Sequence, residues 1–456
     1  MNSFIHADRV HRLVKEALDR GAAQSLEEAE ALFQRYQLVL EISSVDALKA
    51  SQQASLLTAV TLARRVFLGG VLVHLTVDTP LLVPLPLPRT LRAAIEELGA
   101  RICDEMVDEV IPRIVISDTP TARRFPFEVR TLARGWRGGI VPVESPEGPD
   151  APAMPLASML AAALAINEAF LYVRAENTAA GHRAPGLSLW NPQPGADWLR
   201  TDPDEPVLEL LPSRLWLLGL GHLGQAYLWA LGLLPYINSK DLELVLQDVD
   251  TITPSTESTS VLTEASLLGQ KKTRCMAAWA ERRGFSTTIQ ERRFSTGFHR
   301  QSEEPPLLLC GLDNALGRRA LDEAGFEFVI EAGLGRGYQD FRTLRVHTLP
   351  GTRTASQIWP PTSDAPRTPP SPAYQRLLND GIVDRCGMTL LAGKAVGAPF
   401  VGATAACLVV AQVLRILHGG IPLQLLDLDL EWPEHLEVVP QKRDFSGFNP
   451  GFVRVA

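Results

Sequence analysis

The hydrophobic pattern alternates between helical and strand-like stretches along most of the chain. Through residues 1–45, apolar positions recur at helical spacing, as in VHRLVKEAL and EEAEALFQRYQLVL, and predict an N-terminal helical segment. Over residues 46–175, helical stretches alternate with apolar runs such as VLVHLTV and IPRIVIS, and an Ala-rich helix closes this predicted α/β unit. A Pro-, Gly- and Asn-rich linker follows over residues 176–212, and a second α/β unit is predicted over residues 213–456.

The two predicted units resemble each other in two places. TLARGWRGGIVPV near residue 131 is echoed by GLGRGYQDFRTLRVHTLP near residue 333, and the Ala-rich helix after residue 155 is echoed by GAPFVGATAACLVVAQVLRIL after residue 397. Alternating helices and strands are typical of α/β folds with Rossmann-like sheets. We therefore predict an α/β fold of two Rossmann-like repeats, with two unrelated Rossmann-like domains as the alternative.

Residues 211–272 carry the strongest chemical signal in the chain. They predict a strand, a glycine-rich turn, a helix, a strand with an acidic end and a loop that closes on a lysine. Gly219, Gly221 and Gly224 have the G-x-G-x-x-G spacing, which lets the backbone approach a phosphate at a helix N-terminus. Asp248, at the end of the next strand, is placed to bind a ribose hydroxyl. We therefore predict a nucleotide site in this stretch.

The sequence after Asp248 narrows the class of nucleotide enzyme. It continues with DVDTITPS, GQKK and, after a third strand, GLDNALGR. These motifs resemble the ubiquitin-activating-enzyme and ThiF/MoeB superfamily, whose members use ATP to adenylate the C-terminal carboxylate of a ubiquitin-like or sulfur-carrier protein. The resemblance covers residues 211–440, and its motif positions are Asp248, Asp250, Gly269, Lys272, Asp313, Asn314 and Arg318. The first unit lacks these motifs, so the resemblance implies a degenerate first repeat and an active second one.

The resemblance implies a role for each polar residue of the site, with ATP and magnesium as cofactors. Attack on the α-phosphate expels pyrophosphate and builds negative charge on phosphate oxygens, which fixed cations and a metal stabilise. Lys272 is then the cation and Asp313 the magnesium ligand, because carboxylate oxygens suit magnesium. The alternative interpretation of Lys272 is a solvated surface lysine, and that of Asp313 and Asn314 is a turn or helix cap after a buried strand. The remaining nucleotide contacts are Asp248, Asp250, Asn314 and Arg318.

One position departs from the family pattern. The family's S-N-L-x-R-Q segment falls on STESTS, from Ser255 to Ser260, and Thr259 occupies the position of its arginine. A cation that contacts phosphate is therefore missing from its usual place. We predict that another arginine replaces it, with Arg274 and the arginines of the N-terminal half as candidates. Weaker phosphate binding and an inactive nucleotide site are the alternatives.

Cys386 is the candidate nucleophile for a second step. It follows a Pro-, Ser- and Thr-rich segment, the predicted crossover loop at about residues 350–386, and precedes a helix rich in small residues. In the superfamily a catalytic cysteine lies on such a loop or at the start of the next helix, and the autophagy activating enzyme is the closest likeness. A helix N-terminus and Arg385 would favour a thiolate that holds the substrate as a thioester, while a small core residue is the alternative. The cysteines predicted to be structural are Cys103, Cys275, Cys310 and Cys407.

Composition narrows the setting in which the chain works. Its 456 residues are 46% hydrophobic and 21% charged, and the net charge of −8 argues against nucleic acid as the main partner. The N-terminus lacks the apolar core of a signal peptide, and the apolar run at residues 397–414 contains Gln412, which favours a core helix over a membrane span. Five cysteines without a CxxC pair indicate neither a zinc site nor a disulfide framework. We expect a cytoplasmic protein without membrane attachment.

The leading hypothesis is a compact, bacterial activating enzyme for a ubiquitin-like protein. It would adenylate the C-terminal glycine of that protein with Mg-ATP, form a thioester through Cys386 and pass the substrate to a conjugating enzyme. A ThiF/MoeB-like sulfur-carrier enzyme is the first alternative, although such enzymes typically have half this length and a single repeat. A non-catalytic scaffold of the same fold is the second, and an NAD-dependent oxidoreductase, disfavoured by the motif spacing, is the third. Whether the chain forms a homodimer is left open.

Overall fold

The computed structural model describes residues 10–105, 110–147, 151–361, 372–379, 391, 393–443, 445 and 447–455. In its first half the helices are α1 (Val14–Arg20), α2 (Leu26–Phe33), α3 (Ala50–Ala63), α4 (Leu91–Glu97) and α5 (Pro155–Val173). In its second half they are α6 (His222–Leu233), α7 (Pro254–Glu257), α8 (Lys272–Arg282), α9 (Ala315–Arg319), α10 (Ala355–Ile358), α11 (Pro372–Asn379) and α12 (Pro399–Leu417). Short 3₁₀ turns lie at Asp46–Leu48, Ser239–Asp241, Ala265–Leu267, Ala320–Asp322 and Pro433–His435.

The first sheet is built from the N-terminal half of the chain. Its strands are β1 (Gln37–Ile42), β2 (Gly70–His74), β3 (Arg101–Cys103), β4 (Arg113–Ile116), β5 (Glu128–Arg134), β6 (Arg137–Pro142) and β7 (Gly186–Ser188). Their order across the sheet is β3-β2-β1-β4-β5-β6-β7. The strands from β3 to β5 are parallel, and β6 and β7 extend the sheet in antiparallel pairing.

The second sheet is built from the C-terminal half. The strands here are β8 (Leu210–Pro212), β9 (Arg214–Leu218), β10 (Glu243–Gln247), β11 (Ser286–Gln290), β12 (Leu307–Cys310), β13 (Phe328–Leu334), β14 (Thr343–Leu349), β15 (Leu423–Asp429), β16 (Glu437–Pro440) and β17 (Phe452–Arg454). The order across the sheet is β11-β10-β9-β12-β13-β14-β15-β16, while β8 pairs with β17 alone. Parallel pairing again runs through the first five strands, and β14, β15 and β16 are antiparallel.

The two sheets therefore share the order of seven strands and the change from parallel to antiparallel pairing, and the second sheet adds β16 at its edge. In each, the first strand of the unit lies in the middle, between the second and the fourth. In each, a 19-residue helix connects the sixth strand to the seventh: α5 in the first unit and α12 in the second. This agreement fits the two predicted Rossmann-like repeats; that both are adenylation repeats remains a prediction.

A layer of buried helices joins the two sheets. Helix α5 packs on β5 and β6, α12 packs on β13 and β14, and the two helices contact each other. Helices α3 and α6 pack against α5 and α12 respectively. By length and composition α5 and α12 could cross a membrane, but 89% of the apolar window of each is buried inside the structure. The apolar run at 397–414 is thus part of a core helix, as predicted.

The predicted N-terminal helical segment is wrong at its end. Helix α2 ends at Phe33, and residues 37–42 form β1, the central strand of the first sheet. A central strand covered on both faces has apolar residues without alternation, so its pattern does not separate it from a helix. The predicted boundary at residue 46 therefore separates this strand from its own sheet. The predicted linker at 176–212 likewise contains β7 and β8.

Candidate nucleotide-binding site

The glycine-rich turn follows β9 at the place where the strand order of the second sheet changes direction. Strand β9 lies between β10 and β12, and ligands of open α/β sheets bind in the crevice at the carboxyl ends of such strands. Gly219 has a φ of +84°, and a Cβ at Gly224 would lie 2.0 Å from the carbonyl oxygen of Gly219. Gly221 is the N-cap of α6. Glycine at 219 and 224 is therefore required by backbone conformation and close packing.

Asp248 and Asp250 lie directly at this turn. The carboxylate of Asp248 accepts hydrogen bonds from the Leu220 N–H at 2.7 Å and from the Asp250 N–H at 2.8 Å. The carboxylate of Asp250 is exposed and pairs with the Lys272 ammonium at 3.1 Å. A Cβ built on Gly221 would be 3.9 Å from that ammonium nitrogen. The structure thus brings the glycine turn, the acidic pair and the lysine together, as predicted from their spacing.

Asp313 and Asn314 follow β12, and their side chains differ in what they contact. Asp313 is exposed at the carboxyl end of the strand, and among the described residues no hydrogen bond engages its carboxylate. Asn314 caps α9, because its Oδ1 accepts the Gly317 N–H at 2.7 Å. The side chain of Asn314 thus has the helix-cap role that was the alternative interpretation.

Arg318 was predicted to contact the nucleotide, and the structure does not support that contact. Its guanidinium donates to the carbonyl of Leu312 at 2.6 and 2.9 Å. It also pairs with the fully buried carboxylate of Glu331 at 2.9 Å. These partners direct the side chain into the protein, beneath the loop that carries Asp313.

Thr259 occupies the position of the family's arginine, and an arginine from the N-terminal segment contacts the residues around it. Thr259 is buried, and its segment contacts Arg12: the backbone N–H of Arg12 donates to Ser258 Oγ at 3.1 Å, and its guanidinium donates to Ser255 Oγ at 3.3 Å. Arg274, the other candidate, instead pairs with Glu291 at 3.0 Å, and its side chain is 71% exposed. Among the arginines of the N-terminal half, Arg12 contacts serine hydroxyls of the segment, and Arg65 donates to its Glu257 carbonyl at 2.9 Å.

Comparison with known proteins identifies the family. The BilD N-terminal domain model matches residues 37–189, and the BilD C-terminal domain model matches residues 211–420. The bacterial E1-like protein BilD of Collimonas sp. (strain OK412) is 43% identical over 424 residues, which are 92% of this chain and 91% of that protein. The chain belongs to the BilD family of bacterial E1-like proteins. The first BilD domain model spans all seven strands of the first sheet, whereas the second spans β9 to β14 and ends before β15 and β16.

Solved structures give only a distant likeness to this BilD-family chain. Escherichia coli MccB, solved with AMPCPP and selenomethionine MccA, has a TM-score of 0.33 at 14% identity and covers 51% of this chain and 65% of its own. The E. coli tRNA N6-threonylcarbamoyladenosine dehydratase TcdA has a TM-score of 0.28 at 15% identity, over 45% of this chain and 86% of its own. At these TM-scores the likeness supports no argument about the site.

The predicted nucleophile Cys386 and its neighbour Arg385 lie outside the described residues. The other four cysteines are described, and burial raises the pKa of each: that of Cys310 to about 12, with upward shifts also at Cys103, Cys275 and Cys407. Cys275, Cys310 and Cys407 are buried. Thiols with raised pKa values are poor nucleophiles at neutral pH, which agrees with the prediction that these four are structural.

The place of His222 inside the glycine-rich turn predicts an exposed side chain or one that contacts phosphate, but in the structure this first residue of α6 is half-buried. Its ring packs against α12, where a Cβ on Gly402 would lie 2.3 Å from the histidine Nε2. Burial lowers the pKa of His222 to about 4. The imidazole is therefore neutral near pH 7 and brings no positive charge to a phosphate. Its burial depends on a helix 180 residues away, so the turn sequence alone holds no signal for it.

Proposed function

We propose that this chain uses ATP to adenylate the C-terminal glycine of a ubiquitin-like protein. Membership of a family of E1-like proteins supports this function, and one observation carries it: the glycine turn, Asp248, Asp250 and Lys272 lie together at the carboxyl ends of the parallel strands. The loop that carries Asp313 lies beside this turn, since a Cβ built on Gly219 would be 2.9 Å from the carbonyl oxygen of Gly311. In the reaction the substrate carboxylate attacks the α-phosphorus, an acyl-adenylate forms and pyrophosphate leaves. Such a transfer depends on positioning and on stabilising charge at the phosphates, which is what these groups supply.

Each group at the crevice has a defined part in this reaction. The first N–H groups of α6 and the ammonium of Lys272 would bind phosphate oxygens, since both carry positive charge. The carboxylate of Asp248 would accept a ribose hydroxyl, and its existing bond to the Leu220 N–H keeps it oriented. Asp250 holds the Lys272 ammonium beside the turn before the nucleotide arrives. Arg12 is the candidate for the phosphate-binding cation that Thr259 does not provide.

The proposed magnesium ion would take one carboxylate from this site and its other ligands from phosphate and water. In the part of the chain that the structure describes, no three His, Cys, Asp or Glu side chains are grouped to hold a metal ion. Magnesium commonly takes one or two carboxylates and completes its shell with phosphate oxygens and water. Asp313 would supply that carboxylate, and bound magnesium would neutralise phosphate charge.

The second proposed step is thioester formation on Cys386. The thiolate would attack the acyl carbonyl of the adenylate, the carbon–sulfur bond would form and AMP would leave with the electron pair of the broken bond. A conjugating enzyme would then accept the substrate by transthioesterification. The position of Cys386 between a Pro-rich segment and the start of α12, together with the poor suitability of the other cysteines, supports this assignment. A cytoplasmic, bacterial setting is part of the proposal, because thiol chemistry requires reduced cysteines.

The deciding experiment is ATP–pyrophosphate exchange with a panel of ubiquitin-like and sulfur-carrier proteins. Exchange that depends on a ubiquitin-like protein, followed by a thiol-sensitive adduct, is the expected result. Exchange without any adduct would favour the sulfur-carrier alternative. No exchange with any carrier would favour the scaffold alternative, in which the absence of arginine at 259 reflects a site without catalysis. Mass measurement in solution would show whether the active form is a homodimer.

A further inference from the structure

Gln225 lies directly beneath the glycine-rich turn, and its side chain is fully buried. Its Nε2 donates to the carbonyl of Leu220 at 3.2 Å and to Thr263 Oγ1 at 3.0 Å. Its Oε1 accepts the Leu262 N–H at 3.0 Å and the Thr263 hydroxyl at 3.1 Å. The amide orientation is unambiguous, because a carbonyl must face the nitrogen and a backbone N–H must face the oxygen. Both ends of the amide are thus committed to fixed partners.

These bonds determine the direction of a backbone donor in the turn. The carbonyl of Leu220 and the N–H of Gly221 belong to the same planar trans peptide and point in opposite directions. Because Gln225 draws that carbonyl inward, the Gly221 N–H is aimed away from the core. The N–H of Leu220 is itself held by Asp248. The peptide groups on both sides of Leu220 are therefore oriented before any phosphate binds, which is the condition for low-cost electrostatic binding.

A buried arginine of the first unit binds the segment that carries Leu262 and Thr263, two hydrogen-bond partners of Gln225. Arg65, which follows α3, donates to the carbonyl of Thr263 at 2.8 Å and to the carbonyl of Glu257 at 2.9 Å. Its third bond, to the carbonyl of Thr61 at 2.7 Å, anchors the guanidinium on α3. The hydroxyl of Thr61 also donates to the carbonyl of Val261 at 3.1 Å. The first unit thus fixes residues 257–263, which in turn fix Gln225.

We propose that Gln225 is a positioning residue for ATP binding, and that Arg65 makes the first unit part of the same device. The connected path runs from Arg65 through Thr263 and Gln225 to Leu220 and Asp248. The proposal rests on the proposed function only in taking ATP as the ligand. It assigns the first unit a direct contribution to the nucleotide site of the second.

The first unit contains the matched control for this device. Gln53 is the fourth residue of α3, as Gln225 is the fourth residue of α6. Its Nε2 donates to the carbonyl of Ala47 at 2.8 Å, in the turn that precedes its own helix. Its Oε1 accepts the Leu82 N–H at 2.7 Å. Gln53 thus donates to a carbonyl in the turn before its helix, as Gln225 does, but the turn beside Gln53 contains no glycine.

The test compares Gln225→Glu with Gln53→Glu. Glutamate keeps the shape and the acceptor for a backbone N–H but loses the donor to the turn carbonyl, which is then buried without a partner. We expect Gln225→Glu to raise the KM for ATP by about tenfold or more with a smaller change in kcat, because a misdirected N–H weakens ground and transition state alike. Gln53→Glu should change the KM less than about twofold. Melting temperatures of both variants control for stability.

Arg65→Lys and Thr263→Val extend the test along the path. Lysine keeps the charge but not the fork of donors, so Arg65→Lys should raise the KM for ATP by about threefold to tenfold. Thr263→Val removes one hydroxyl at constant shape and remains available if Gln225→Glu does not fold. Equal effects of Gln225→Glu and Gln53→Glu on the KM for ATP would overturn the proposal. An unchanged KM for ATP in Gln225→Glu, Arg65→Lys and Thr263→Val alike would also overturn it.

The two proposals fail in different ways. Should the wild type bind ATP without any pyrophosphate exchange, the proposed function fails, and calorimetric Kd values for ATP of the same variants decide the positioning role. Should the wild type bind no ATP at all, both proposals are wrong. Exchange by the wild type with unchanged Gln225→Glu kinetics contradicts the positioning role alone.

Discussion

The two units differ at the place where their common fold leaves a crevice. In the second unit, the turn after the central strand is glycine-rich and lies beside Asp248 and Lys272. In the first unit, the corresponding turn is closed by ion pairs that join the ends of β1 and β4. Lys49 lies 3.0 Å from Asp46 and 3.1 Å from Asp118, which also pairs with Arg134. Paired charged side chains thus lie at the end of the first sheet that corresponds to the nucleotide crevice of the second.

The units also differ in the connection from the sixth strand to the 19-residue helix. In the first unit this connection spans residues 143–154, and in the second it spans residues 350–398, including Cys386. The helices at the end of both connections are equally long and equally buried. The scaffold thus stays constant between the two units, while the connections between its elements change. The loops of α/β folds commonly carry the chemistry, and the proposed function places both reaction steps on loops of the second unit.

The largest effect is expected from Cys386→Ala. This variant tests whether the connection at residues 350–398 of the second unit provides the nucleophile for thioester formation. The variant should keep ATP–pyrophosphate exchange and lose every thiol-sensitive adduct with the carrier, because adenylation needs no thiol. Non-reducing electrophoresis of a carrier reaction measures this. Single alanine variants of Cys103, Cys275, Cys310 and Cys407 should each retain the adduct. An adduct that persists in Cys386→Ala and disappears in one of these four would show that the nucleophile was misassigned.

Lys272→Ala and Asp313→Ala should each lower the rate of exchange by about 10²-fold or more, since a fixed cation or a metal ligand at the phosphates is lost. Lys49→Ala is the first-unit control. Its partly exposed ion pairs contribute about 0–1 kcal/mol to the free energy of unfolding, and exchange should be unchanged. Normal exchange in both second-unit variants would refute the assignment of this crevice as the active one.

Arg12→Ala should raise the KM for ATP by about tenfold, which corresponds to the loss of one hydrogen bond to a charged group. Arg274→Ala should have little effect, because that side chain is exposed and already paired with Glu291. A structure with bound ATP is the direct measurement. If no arginine contacted the β- or γ-phosphate in it, the idea that Arg12 replaces the cation missing at Thr259 would be wrong.

The smallest effect concerns His222, whose counterpart at the start of α3 is the exposed Ala50. Burial lowers the pKa of His222 from 6.5 to about 4, so the unfolded chain binds a proton that the folded chain does not. Stability should therefore fall as the pH drops through this window, by on the order of 1–3 kcal/mol from this group. His222→Asn should flatten this dependence in denaturant titrations between pH 7 and 5.

The motifs of the candidate site could be predicted from the sequence because each depends on neighbouring residues. A strand followed by G-x-G-x-x-G and a helix needs only its own backbone to form, and the parallel sheet then places the ends of β10 and β12 beside it. Asp248, Asp250 and Lys272 therefore lie together as their spacing predicted. The prediction of two long core helices was also correct, because an apolar run of about 19 residues is too long for an ordinary strand.

The tertiary structure alone decided what depends on contacts between distant residues. Arg12 reaches a segment that lies 246 residues further along the chain, and Arg65 holds the carbonyl of Thr263 from the other unit. Strand β1 was mistaken for helix because burial on both faces removes the alternation that marks a strand. The inward direction of Arg318 and the burial of His222 likewise follow from which elements pack against them. Local spacing determines which groups are available for chemistry, whereas packing between elements distant in sequence, within and between the two units, determines where their side chains point.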